Sequence, residues 1–216
     1  SNLGEMKNIE ISQLFLRDGR YHFARWSKPL SPVIFGVDDE SLSGMRLAFS
    51  EVISLSSLEL SDFDPELGAN VLIFFCAKWS ELISVPNLNK LIPELSHLLE
   101  SLDENDANQY RNFLFTRDGA INLVIVLLKY DSELASVSLQ TLAVSQMLQS
   151  ILLWSPNAFK HESPIAIIEK TNRCVVKPFY AALVKAAYDP TLPNFSQDES
   201  HAVRLAARVS LLLGVE

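Results

Sequence analysis

Seven glycines are spread through 216 residues, and none falls into a G-x-S-x-G, G-x-G-x-x-G or G-x-x-x-x-G-K spacing. Without the first there is no tight strand-to-helix turn to present a serine nucleophile. Without the others no glycine-rich backbone loop cradles a phosphate. Cysteine is nearly absent too. Cys76 and Cys174 each stand alone in an apolar run, the setting of a small buried hydrophobe. Two isolated cysteines cannot build a thiolate zinc site, which needs paired spacing; a disulfide between them stays open. The four histidines, His22, His97, His161 and His201, include no pair at i+3 or i+4, so no helix offers two imidazoles to a metal. Basic residues are in the minority: 18 Lys plus Arg against 26 Asp plus Glu give a net charge of −8. Nucleic-acid binding needs a basic face to displace phosphate counterions, and no Lys/Arg cluster supplies one. No cofactor is implied by any of these patterns.

Charge is missing from one long stretch altogether. Residues 134–159 contain no Asp, Glu, Lys or Arg, in a chain that is 20% charged. Within it Val144, Met147, Leu148, Ile151 and Leu152 keep the spacing of an apolar helix face, and Leu139, Leu142 and Leu153 make the helix apolar nearly all round. This predicts a central helix buried in the domain. Its polar residues, Thr141, Ser145, Gln146 and Gln149, include no strong acid, base or metal ligand. Three glutamines and several serines around it, with no basic flank at its start, argue against a transmembrane segment.

The rest of the chain predicts an α+β, α/β-like fold: a small mixed sheet packed on the central helix, with a helical C-terminal part. Residues 1–30 read as an irregular segment with a possible edge strand at 21–26, and residues 31–216 as one domain, sheet-rich over 31–130 and helical over 131–216. Residues 32–37 are a short strand, and Asp38, Asp39 and Glu40 favour a helix start running to about residue 56. A turn at 62–70 leads into 71–76, a continuous apolar run expected of a strand buried on both faces. Residues 79–102 read as two short helices broken at Pro86 and Pro93. Residues 111–115 and 121–128 form a hairpin around Asp118-Gly119. Trp154-Ser155-Pro156 stops the central helix, and 164–168 is ambiguous. A helix with Pro178 in its first turn follows. Ser196-Gln197-Asp198-Glu199 reads as a capping box for the last helix, which Gly214 ends.

Three stretches resemble the uncharacterised bacterial family designated DUF2927, exported or lipoprotein-like proteins related in fold to zincin metallopeptidases. They are residues 68–74 (Gly-Ala-Asn-Val-Leu-Ile-Phe), Gln146-Met147-Leu148 in the central helix, and residues 187–192 (Ala-Tyr-Asp-Pro-Thr-Leu). The resemblance implies a zincin-like scaffold. Zincins place two histidines one helical turn apart on zinc, with a glutamate as general base. Aligned on Gln146, the histidine and glutamate positions hold Thr141 and Leu142, which can neither ligate zinc well nor act as a base.

The functional expectation is therefore a non-catalytic binding or accessory protein on a degenerate zincin-like scaffold, with an unknown protein or peptide partner. It would reside in the periplasm or cell envelope if an export signal has been trimmed ahead of Ser1-Asn2, and otherwise in the cytoplasm. A cytoplasmic interaction module with an acidic surface is the alternative. No residue is assigned to catalysis, metal or cofactor. The cleft candidates are Gln146, Trp154 (at the end of the central helix), His161 (in Lys160-His161-Glu162), and Tyr188 with Asp189 from the resemblance.

Overall fold

A computed structural model describes residues 10–61 and 68–215, and the chain is α+β. The main sheet has four strands: β1 (Pro32–Phe35), β2 (Val71–Cys76), β3 (Gln109–Phe115) and β4 (Ile121–Lys129), in spatial order β1-β2-β4-β3. The first two and β4 run parallel; β3 closes the edge antiparallel to β4. The reason lies in the side chains. Successive residues of a strand point to opposite faces. Val124, Val126 and Leu128 of β4 enter a large core, and Ile125 and Leu127 enter a second, smaller one. Strands apolar on both faces need cover on both faces.

The large core is covered by α1 (Asp39–Ile53), α3 (Leu139–Ile151), α4 (Pro178–Ala187) and α5 (Ser200–Leu213). The smaller core is covered by a 3-10 helix over Trp79–Ser84, one helical turn at Leu88–Leu91, and α2 (Leu95–Glu104). Sequence reading expects two helices between 79 and 102; three pieces form because Asn87 and Glu94, each following a proline, adopt positive φ of 66° and 59°. At the start of α1, Asp38 accepts the Ser41 N–H at 2.7 Å, which satisfies one of the helix's free donors.

Residues 10–30 are not irregular. Residues 10–13 are helical, Leu16–Arg17 pairs with Arg20–Tyr21 around Asp18-Gly19, and Phe23–Ala24 pairs with Phe195–Ser196. Arg25 and Trp26 bridge to Leu152 and Ile121. Ile11, Phe15, Tyr21, Phe23 and Trp26 belong to the large core. Instead of one edge strand at 21–26 there are two-residue ladders, one to a neighbouring segment and one to a distant one, too short to leave a period in the sequence.

The central helix is also shorter than its uncharged stretch. Ser138 caps it by accepting the Thr141 N–H, and Ser132–Ala135 forms a separate turn capped by Asp131. Leu152, assigned from sequence to the helical face, is extended (φ −139°, ψ 158°) and bridges Arg25, so the helix ends before Trp154. The ambiguous segment is a hairpin, β5 (Ile165–Ile168) with β6 (Arg173–Val176). The capping box does not form. Ser196 lies in the ladder to Phe23 and accepts the Asp198 N–H, while Asp198 takes the Ser200 N–H at 2.9 Å. Cys76 and Cys174 are free thiols in different cores. Residues 62–67 of the expected turn at 62–70 lie outside the described residues, as do residues 1–9 of the expected irregular segment. Among the described residues no helix is long and apolar enough to cross a membrane.

Candidate functional site

On the edge strand β3, Gln109, Arg111 and Phe113 stand opposite Leu128, Val126 and Val124. Directly paired residues share a face, so all three point toward the large core and α3. Arg111 meets the polar side of that helix. Its Nε donates to Ser150 Oγ at 3.1 Å, Nη1 to Gln149 Oε1 at 3.1 Å, and Nη2 to Gln146 Oε1. Gln146 in turn donates to Gln109 Oε1 at 3.0 Å. Every one of these acceptors is neutral. Desolvation lowers the Arg111 pKa to about 10, and the guanidinium stays a cation at neutral pH.

Beside this network, where the chain leaves α3, a cavity of about 500 Å³ is lined by Arg17, Arg111, Phe113, Gln149, Trp154 and Lys160, with residues 155–157 and Phe159 completing it. Arg17 arrives from the N-terminal hairpin and donates from Nη2 to the Trp154 carbonyl at 3.0 Å. Burial lowers its pKa, while neighbouring Asp18 works against that shift. Trp154 is held rigidly: its Nε1 donates to the Leu148 carbonyl at 2.8 Å. Its ring stacks on Phe15 with centroids 5.3 Å apart.

The cleft candidates divide. Gln146 and Trp154 come together here, one steadying Arg111 and the other forming the wall. His161 is exposed on the loop just beyond Lys160 and does not line the cavity. Tyr188 is buried under the end of α3, and Asp189 takes Arg208 Nε at 2.7 Å and the Thr191 N–H at 2.8 Å. These bonds hold the Asp189 carboxyl well below the ordinary carboxylate range. Both are joints of the fold, and neither lines the cavity. Sequence reasoning missed Arg17 and Arg111. The available signal was strand parity, which puts a lone arginine on the inward face of β3 between Gln109 and Phe113.

A second cavity, about 540 Å³, opens at the carboxyl ends of the parallel strands and is lined by Gly36, Asp38, Ser41, Cys76, Glu81 and Tyr130 among others. Ligands often bind at this place in α/β sheets. Here, however, Asp38 is committed to the Ser41 N–H and Glu81 to the Ala77 N–H. Burial pushes the Cys76 thiol up to about 11, which leaves it protonated and a poor nucleophile. Among the described residues no three of His, Cys, Asp and Glu stand close enough to hold a metal ion.

Compared with known proteins, the chain matches no family model, no curated protein and no solved structure.

Proposed function

We propose that this chain is a non-catalytic binding protein of the cell envelope, on a zincin-like scaffold whose metal-binding positions have been given over to packing. The observation that carries the reading is what the central helix does with its polar side chains. Thr141 shares a hydrogen bond with Ser138 at its own helix cap, and Leu142 is buried in the large core. Four residues after Thr141 stands Ser145, which accepts from Gln149. The donor chemistry of this set does not fit zinc, which takes imidazole, thiolate or carboxylate ligands. Gln146, Gln149 and Ser150 hold Arg111 in place beside a cavity. Neutral amides and a hydroxyl around a permanent cation favour recognition over proton transfer.

The test is elemental analysis of protein purified without chelator, together with a peptidase assay. The expected result is no stoichiometric zinc and no turnover. One zinc per chain, or peptidase activity lost on substitution of Thr141 or His161, would overturn the proposal.

A further inference from the structure

The chain carries a net charge of −8, yet the cavity beside Trp154 is lined by three cations and no carboxylate. The other arginines buried or paired in this molecule show how the fold ordinarily treats a guanidinium. Arg208 is paired with Asp189, and Arg173 with Glu51. Arg25, buried without a carboxylate of its own, donates to four acceptors: the carbonyls of Ala187, Asp189 and Leu192 and the Asn194 side chain. Arg111 and Arg17 are treated differently. Arg111 has three neutral acceptors for the five N–H groups of a guanidinium. Arg17 Nε is buried with no hydrogen-bond partner, and neither arginine has an ion pair among the described residues. Lys160 stands exposed at the mouth. Enclosing cations without a counter-charge costs free energy unless something supplies the missing acceptors.

We propose that this cavity binds a small organic anion, a carboxylate- or phosphate-bearing molecule with a flat apolar body. Its charged group would be held by Arg111, Arg17 and Lys160 and its body by Trp154, Phe113 and Phe159. This rests on the reading of the chain as a binding protein and names the class of ligand. A volume of about 500 Å³ suits a small ligand. Arginine takes carboxylate and phosphate oxygens through parallel N–H donors, in bonds roughly twice as strong as neutral ones. Gln146 and Gln149 act as positioning residues, fixing the guanidinium plane without neutralising it. Trp154, clamped by its own N–H and by Phe15, offers a wall that does not need to be ordered on binding. The opposing charge stays outside: Asp18 lies beside Arg17, and Glu10 and Glu162 act on Tyr180 behind Trp154 and Phe159, but none of the three lines the cavity. A polyanionic macromolecule would need a broad basic face, whereas these three cations share one cavity.

The experiment is a titration at low ionic strength with phenyl phosphate, benzoate and inorganic phosphate, with phenol and benzyl alcohol as neutral controls. It is followed by calorimetry and by tryptophan fluorescence. The expected result is saturable binding of the aromatic anions, weaker binding of inorganic phosphate and none of the neutral controls. Phenyl phosphate tighter than benzoate identifies a phosphate ligand, and the reverse order a carboxylate. Arg111→Gln is expected to weaken binding about tenfold or more. Lys160→Ala, at an exposed position, is expected to weaken it severalfold. The proposal is overturned if no anion saturates, if the neutral controls bind equally well, or if Lys160→Ala and a folded Arg111→Gln leave affinity unchanged. Should Arg111→Gln fail to fold, Lys160→Ala alone decides. Zinc or peptidase activity would overturn the reading of the scaffold without touching this titration; a flat titration in zinc-free, inactive protein overturns the ligand assignment alone.

Discussion

The hydroxyl of Tyr188 donates to the carbonyl of Ile151 at 2.6 Å, and so closes the end of the central helix from a loop in the C-terminal part of the chain. The same oxygen accepts the Trp26 N–H at 3.1 Å. Arg25, whose guanidinium lies 5.7 Å from the centre of the Tyr188 ring, grips the carbonyls on either side of it. The Tyr-Asp-Pro-Thr-Leu stretch is thus a joint that fastens three segments: the N-terminal ladders, the central helix and the C-terminal helices.

Replacing Tyr188 with phenylalanine keeps the ring and removes the joint. A buried N–H and a buried C=O lose a partner, at a cost of about 1–3 kcal/mol. Urea unfolding of Tyr188→Phe against the parent checks this, and equal midpoints would refute it.

Arg25→Met asks more of the fold. Four acceptors lose their donor at once, two of these bonds being fully buried. The expected loss is about 3 kcal/mol or more, greater than for Tyr188→Phe. Arg208→Gln, at a partly exposed ion pair, is expected to do less. The ranking of the three urea midpoints is the measurement.

Sequence alone reaches β2, the β3–β4 hairpin, α1 and α4, because each carries its own signal: an apolar run, an Asp-Gly turn, an acidic start, a first-turn proline. It does not reach the joint. Arg25 and Trp26 acquire their meaning from residues more than ninety positions away. Arg111 is similar. As a letter in a strand it looks ordinary, and its partners lie on a helix 35 to 39 residues later. Trp154 and Gln146 were legible as candidates because the uncharged helix draws attention to them, and of the two only Trp154 lines the cavity. The cations that give the cleft a chemistry were not.

Acid should weaken this protein through His201. Tyr21 Oη lies 2.5 Å from His201 Nδ1, and Nε2 is buried without a partner. Burial first, then Arg204, Arg25 and Arg208, lower the His201 pKa from 6.5 to about 4, against a smaller opposing pull from Asp198. Between those values the unfolded chain binds the extra proton, so protonation favours unfolding. The contribution is complete above pH 6.5 and is lost as pH falls toward 4. It amounts to about 3 kcal/mol. Urea unfolding at pH 7 and pH 4.5, on the parent and on His201→Gln, should show a flatter pH dependence in the variant. Parallel curves would refute the assignment.

Both thiols should be silent in the native state. Cys76 and Cys174 are 6% and 1% exposed, in separate cores, with burial raising both pKa values. A thiol reagent at pH 8 should titrate almost nothing in native protein and two thiols in guanidinium. Rapid reaction of the native protein, or fewer than two thiols after unfolding, would contradict the structure.

Strand β4 is the wall common to both cores, with five consecutive residues, Val124 to Leu128, at 0% exposure. Neither half of the molecule can melt without stripping one side of that wall, and a bare side on a strand this apolar is itself strongly unfavourable. Damage to the smaller core, though it touches no residue of the cavity, therefore reaches the cavity through β4, the one strand with which β3, the bearer of Arg111, is paired. A variant that loosens Trp79 or Leu95 would be felt as weaker grip on a ligand on the opposite side of the sheet, so an effect on binding need not mark a residue as part of the site.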